Sequence, residues 1–277
     1  MKLTIEQLFD QIHKVPQVPE IVRTLITQLN DPDSDFDAIA KNVEKEQVIS
    51  IKVLRLVNSA FFGLSKKIGS IDEAVVMLGM SRLKTLVIAS GIVSAVPEIP
   101  NFNIKDFWID SFRTATYAKW LAEQSRLENS DMVFTAGLIN GLGNILIHLA
   151  DAKAANEIDQ HVKAGNSRSD YERKRLGFTS QEVCAELCRR WHFSEDLIDT
   201  VAKAGEPMTF EEISLPACVV FIAKTISEYN RQKMSEEDML AVFPTQEWQK
   251  LGLDEQQIIT KLTEMQSLES TLDGLLD

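Results

Sequence analysis

Phe134-Thr135-Ala136-Gly137-Leu138-Ile139-Asn140-Gly141-Leu142-Gly143-Asn144-Ile145-Leu146-Ile147-His148 is the stretch on which the reading of this chain turns. Its apolar residues recur at three- and four-residue spacing, so it reads as a helix buried in a core. At its centre Asn140-Gly141 sets an amide beside a residue with no side chain. Neither suits a divalent ion: a neutral amide oxygen is a poor ligand, and glycine offers none. The Gly137, Gly141, Gly143 spacing superficially suggests a phosphate loop, but no strand precedes it and no Lys-Ser/Thr follows. Close helix packing, or a break in the helix, accounts for the glycines better.

Helical periodicity continues outward in both directions, and convincing period-2 strands are almost nowhere to be found. Upstream, 104–126 is a long amphipathic helix carrying Phe107, Phe112, Tyr117, Trp120 and Leu121. Downstream, 152–164 and 170–176 are amphipathic and more solvated, 180–191 is helical, and Ser194 caps a helix to about residue 204. Residues 215–229 form a buried helix with Pro216 in its first turn, where proline is tolerated. Nearer the start, Thr4 with Gln7 and Ser70 with Glu73 read as capping boxes, opening helices that run through His13 and up to Gly79. Further helices are expected over 20–29, from a Ser34 cap with Phe36, Ile39, Ala40 and Val43 inward, over 48–62 and over 81–96. The Pro/Asn-containing stretch 97–103 is the expected boundary between a lobe of residues 1–100 and a lobe of 101–230. Residues 231–277 form a helical extension. Its last segment places Ile258, Leu262, Met265, Leu272 and Leu275 at mixed spacing. It either packs back on the body or forms a coiled-coil seam that would make a homo-oligomer.

The chain has 277 residues, 44% hydrophobic and 25% charged, enough to bury a substantial core in one large domain or two lobes. Its formal net charge of -12 opposes generic nucleic-acid binding, which draws its affinity from phosphate neutralisation. Three cysteines, none in a Cys-x-x-Cys pair, argue against a disulfide scaffold. The N-terminus turns acidic at once, with no apolar signal core. No run approaches the roughly 18 apolar residues needed to span a bilayer. A cytoplasmic protein with no membrane partner is expected.

The remaining chemistry-bearing residues have ordinary explanations. His13, His148, His161 and His192 do not pair at helical spacing, so hydrogen-bonded core or surface histidines are expected. Cys184, Cys188 and His192 are spaced by four and would share a helical stripe. That is half of a soft-metal or redox site, but Leu187 and Trp191 place it in core, where free cysteine acts as a small hydrophobe. Ser111, Ser180 and Ser194 have no adjacent His-acid arrangement, so serine hydrolase chemistry lacks support.

Four segments carry a resemblance: Val15-Pro16-Gln17-Val18-Pro19, the DPDSDFDAIA run at 31–40, VLRLVNSAFFG at 53–63 and SIDEAVVMLG at 70–79. Together and in this order they resemble the HDOD family, the HD-related output domains of bacterial signalling proteins, over roughly residues 12–225. The part after residue 100 resembles the helical core of HD-type metal-dependent phosphohydrolases. The fold so implied is all-α, a helical N-terminal bundle packed on a degenerate HD-like bundle. In catalytic relatives an early histidine stands where this chain has Asp110. The His-Asp pair falls on Asn140-Gly141, a later histidine on Ser180, a His-His pair on Ala204-Gly205, and the last aspartate on Lys224. Only Asp110 keeps a carboxylate, and a lysine would repel a divalent cation.

What the resemblance implies is therefore no metal, no cofactor and no catalytic residue. The expected function is a non-catalytic signalling module that binds a partner protein, or a small ligand in the groove left by the metal site. The alternative is an HD-type phosphohydrolase acting on nucleotides or phosphoesters. Arg55, Asn58, Ser59, Phe61 and Phe62 are candidates for an interaction loop at a helix end. Their structural alternative is that Asn58 or Ser59 caps helix carbonyls while the phenylalanines pack between lobes and Arg55 forms an ion pair.

Overall fold

The computed structural model describes residues 4–12, 15–28, 36–58, 66–97, 99 and 102–253, and among them every regular element is helical. The first lobe is built from α1 (Ile5–Gln11), α2 (Glu20–Gln28), α3 (Phe36–Lys45), α4 (Gln47–Val57), α5 (Ile71–Leu78) and α6 (Met80–Ala95). Thr4 opens α1 with a full capping box: its hydroxyl accepts from the Gln7 amide while the Gln7 side chain accepts from the Thr4 amide. α6 is the spine of this lobe, packed by α2, α4 and α5, with Leu83, Ile88 and Ile92 fully buried. Each such side chain contributes roughly 1.5–3 kcal/mol of burial. Lys52 on α4 reaches across to donate to Ser94 Oγ on α6 at 2.8 Å.

Several expectations need correction or lie outside the described residues. The box expected at Ser70 is only half made. Ser70 accepts from the Glu73 amide, but the Glu73 carboxylate turns to the Gly69 amide and to Lys66. The helix expected over 48–62 ends at Val57, with Val48 and Ile51 facing solvent. Asn58 stops it by accepting from the Ile68 amide (2.7 Å) and donating to the Leu54 and Ile68 carbonyls (2.8 Å each). Ala40 and Val43 are buried as expected. The side chains of Phe36 and Ile39, the Ser34 cap, His13, the Ser59–Phe62 element and the 254–275 segment lie outside the described residues.

The second lobe runs α7 (Ile104–Gln124), α8 (Ser130–Ile139), α9 (Leu142–Ala150), α10 (Ala152–Lys163), α11 (Arg168–Arg175), α12 (Ser180–Arg190), α13 (Glu195–Lys203), a 3-10 turn (Pro207–Thr209) and α14 (Leu215–Gln232). α15 (Glu236–Ala241) and α16 (Thr245–Lys250) follow, and buried Trp248, edge-on to Phe243, seats this tail. α7 lies between α8 and α14, joined to α14 by Asn230 Nδ2 donating to Tyr117 Oη at 3.1 Å.

The stretch read as one buried helix is two, α8 and α9, broken at Asn140-Gly141. Both glycines at and just past the break stand where a side chain would collide. A Cβ on Gly141 would stand 2.7 Å from the Phe107 ring, and one on Gly143 would stand 1.8 Å from the Ser180 carbonyl oxygen. α9 therefore crosses the start of α12 at a distance that admits only a hydrogen. Among the described residues, Ser130–Ala150 is the one stretch long and apolar enough overall to cross a bilayer, contrary to the sequence reading. It is 72% buried in the bundle and interrupted by that break.

Several contacts among the described residues join the two lobes. α6 packs on α8, and α1 rests on α9. The Arg190 guanidinium lies over the Phe9 ring at 4.1 Å, and Trp191 Nε1 donates to the Pro16 carbonyl at 3.1 Å. The VPQVP segment thus belongs to the contact between lobes.

Candidate functional site

Behind the α8–α9 break lies a run of charged side chains across four helices. Asn144 and His148 are one turn apart on α9, Asp159 projects from α10, Arg168 and Glu172 are one turn apart on α11, and Ser180 opens α12. Glu172 is fully buried, and its Oε2 accepts from the Ser180 amide at 2.7 Å and from the Ser180 hydroxyl at 3.0 Å. Arg168 stands 3.4 Å from Glu172 Oε1 and donates to Asp159 Oδ1 at 2.6 Å. His148 Nε2 is 3.0 Å from Asp159 Oδ2. A buried carboxylate survives only with donors around it, and this chain of contacts supplies them. Burial alone would push the Asp159 carboxyl up. The hydrogen bonds with His148 and Arg168, and the Arg168 charge, reverse that and hold it at about 2.

Of the positions carried over from the HD pattern, Ser180, Gly205 and Lys224 adjoin this network. Gly143 lies against Ser180, and Gly205 lies against the Gln181 side chain, where a Cβ would stand 2.9 Å away. Ala204 is fully buried beside it. Lys224, on α14, sits in the combined field of Arg168, Glu172 and Glu228. Burial first, then the Arg168 guanidinium, pull its pKa below the usual lysine value against the opposing pull of Glu172 and Glu228. Asp110 belongs to the rim. It pairs with Arg113 at 2.6 Å and lies 3.7 Å from Arg231, two turns beyond Lys224 on α14. Its carboxyl is pushed up, by burial above all, with the two arginines pulling the other way. Asn140 is 3% exposed and its Oδ1 has no hydrogen-bond partner among the described residues.

These donors do not fit a catalytic divalent ion. Asn140 offers one neutral oxygen, Gly141, Ala204 and Gly205 offer no side-chain donor, and the Ser180 hydroxyl is engaged by Glu172. Asp110 is held by arginines, and Lys224 brings a cation of its own. Among the described residues no three His, Cys, Asp or Glu side chains are grouped to hold a metal. The Cys184, Cys188, His192 stripe is also not formed. α12 ends at Arg190, and exposed His192 turns away in the left-handed region at φ 60°. Cys184 donates to the Ile139 carbonyl at 3.1 Å, and burial pushes the Cys188 thiol well up. His161 stacks on Tyr171 with ring centroids 3.7 Å apart. Arg55 is exposed on α4, and Asn58 serves as the helix stop described above.

Glu172, Arg168 and Asp159 were missed by the sequence reading. Their one visible signal is the i, i+4 pair Arg168/Glu172. It sits inside RSDYERKR, a segment so polar that it reads as solvated although Glu172 faces the core.

The HDOD domain profile matches residues 15–207, and the chain belongs to that family. An uncharacterized protein of Treponema pallidum (strain Nichols) is 27% identical over 205 residues, 69% of this chain and 38% of that protein, so the chain spans about two-fifths of its curated relative. Among solved structures, a Shewanella amazonensis SB2B protein provisionally named a phosphohydrolase is 30% identical. Its TM-score is 0.82, and 98% of each chain is covered. An HDOD domain protein of unknown function from Geobacter sulfurreducens has a TM-score of 0.81 at 24% identity, covering 98% of this chain and 96% of that one. A Marinobacter aquaeolei VT8 protein provisionally named a signal transduction protein shares the fold, with a TM-score of 0.76 at 16% identity, covering 98% of this chain and 60% of that one. The Geobacter and Marinobacter structures, both under 25% identical, show the shared fold alone.

Proposed function

We propose that the chain is a non-catalytic, cytoplasmic regulatory module of signal transduction that acts by binding a partner protein. Its occupancy would shift an equilibrium in that partner through differential affinity for two states. The observation that carries this reading is the Glu172, Arg168 and Lys224 cluster beside Ser180. At positions where the HD resemblance implies metal ligands the chain carries Lys224, near an Arg168 that is paired with Glu172, and this supports a role without a hydrolytic metal. Neither nucleic acid nor a membrane suits a chain of net charge -12. The competing reading, a phosphohydrolase, draws on the provisional name of the Shewanella relative, and a fold alone does not fix a function. The test is turnover. Phosphomonoesters, cyclic dinucleotides and nucleoside triphosphates incubated with the protein and manganese should show no hydrolysis above the buffer rate. Turnover that falls on changing Asp110 or Asn140 would establish the phosphohydrolase instead.

A further inference from the structure

Apart from this network, an open groove of about 710 Å³ lies between the α7–α8 turn, α13 and the segment leading into α14. Its floor is apolar, formed by Met132, Val133, Ile213 and Leu215, the last still 37% exposed. Its rim carries Glu128, Glu195, Asp196, Asp199 and Glu212 against a single cation, Lys203. That ammonium is already committed, 2.8 Å from Asp199 and over the Phe210 ring. Glu128, Glu195, Asp196 and Glu212 have no ion-pair partner among the described residues.

Glu195 and Asp196 open α13, where the helix dipole relieves part of their charge. Glu128 and Glu212 lie in connecting segments outside any helix. Carboxylates lining a groove that also carries apolar side chains concentrate a negative potential there, repelling anionic surfaces and drawing cations in. An apolar floor beneath that rim rewards a ligand with an apolar side as well. A volume within the roughly 300–1,000 Å³ of ordinary binding pockets takes several side chains of a docked helix. We infer that this groove docks a cationic amphipathic segment of a partner protein, its Lys or Arg side chains on the acidic rim and its Leu, Ile or Phe side chains on the Met132–Leu215 floor. The inference rests on the regulatory reading for the existence of a partner, and it names that partner's chemistry.

The test uses the full chain labelled with 13C-methyl methionine and, as probe, a short helical peptide of Leu and Lys at three- and four-residue spacing. A Leu/Glu peptide is the control. Met132 is the reporter in the groove, assigned by its loss in Met132→Leu, and Met77, half exposed on α5, is the reporter elsewhere. The Met132 signal should shift saturably with the Leu/Lys peptide alone. Glu128→Lys/Glu212→Lys should weaken binding about tenfold or more, and Glu6→Lys/Asp10→Lys, the same charge change on exposed α1 positions, should leave it within about twofold. Equal weakening by both pairs would mean general attraction to an acidic protein and would overturn the inference. So would a shift at Met77 without one at Met132, or no binding. Any of these outcomes without hydrolysis removes the groove and leaves the regulatory reading standing, whereas hydrolysis removes the regulatory reading itself.

Discussion

Asp159 shows how a single side chain is set by contacts that no local pattern announces. Its carboxyl sits at about 2 against an ordinary 3.8, so it contributes stability above about pH 4 and loses that contribution as pH falls toward 2. Asp159→Asn should lower stability at pH 7 and flatten the acid limb of a stability-against-pH curve measured by urea unfolding. An unchanged acid limb would contradict the pairing with Arg168 and His148. Glu172 is the stronger case, because it is fully buried. Glu172→Ala leaves the Ser180 amide without its acceptor and removes one of the carboxylates near Arg168 and Lys224, which keep Asp159 and Glu228, at a cost of about 2–3 kcal/mol. Glu172→Gln, which keeps an acceptor for Ser180, should cost less. A loss under about 1 kcal/mol for the alanine variant would show that the cluster is not coupled as described. Neither residue was legible as part of a site. Asp159, Arg168 and Glu172 meet only because α10 and α11 fold back beside α9, and nothing in RSDYERKR marks which of its charges turns inward.

At the scale of helices, the signals that could be read were those confined to one turn. Thr4 with Gln7 opens α1, Ser70 caps α5, and Pro216 stands in the first turn of α14, all as the sequence suggests. Where an end is fixed by a distant partner, the reading slipped. Asn58 stops α4 by bonding to Ile68, ten residues on. The 134–148 stretch divides at Asn140-Gly141, and just past the break its glycines let α9 pass close to Phe107 and to Ser180 of α12. Glycines were expected there for close packing or a break, and the structure uses them for both, but the surface they approach could not be inferred from spacing. Gly143→Ala would drive a Cβ into the Ser180 carbonyl, which is backbone and cannot rotate away. The expected loss is upwards of about 2 kcal/mol, read as a lower unfolding midpoint. A variant as stable as the parent would mean that α9 and α12 are not packed this closely.

Over the whole molecule, the all-helical architecture was legible because the apolar period is helical almost throughout, and the NSAFFG and SIDEAVVMLG segments pointed to the family that the 15–207 match establishes. The joining of the lobes was not, since Trp191 meets Pro16 across 175 residues of chain. The acidic groove also escaped notice, because Glu128, Asp196 and Glu212 are separated in sequence and each reads alone as a solvated charge. Lys224, near Arg168, stands where the resemblance would call for a metal ligand, and the proposal of a non-catalytic module rests on that placement. The most direct test is elemental analysis of the untagged protein after purification without chelators. The account predicts manganese, iron and zinc far below one equivalent, unchanged after incubation with each ion and desalting. A retained equivalent of metal, lost on changing Asp110 or Asn140, would contradict it.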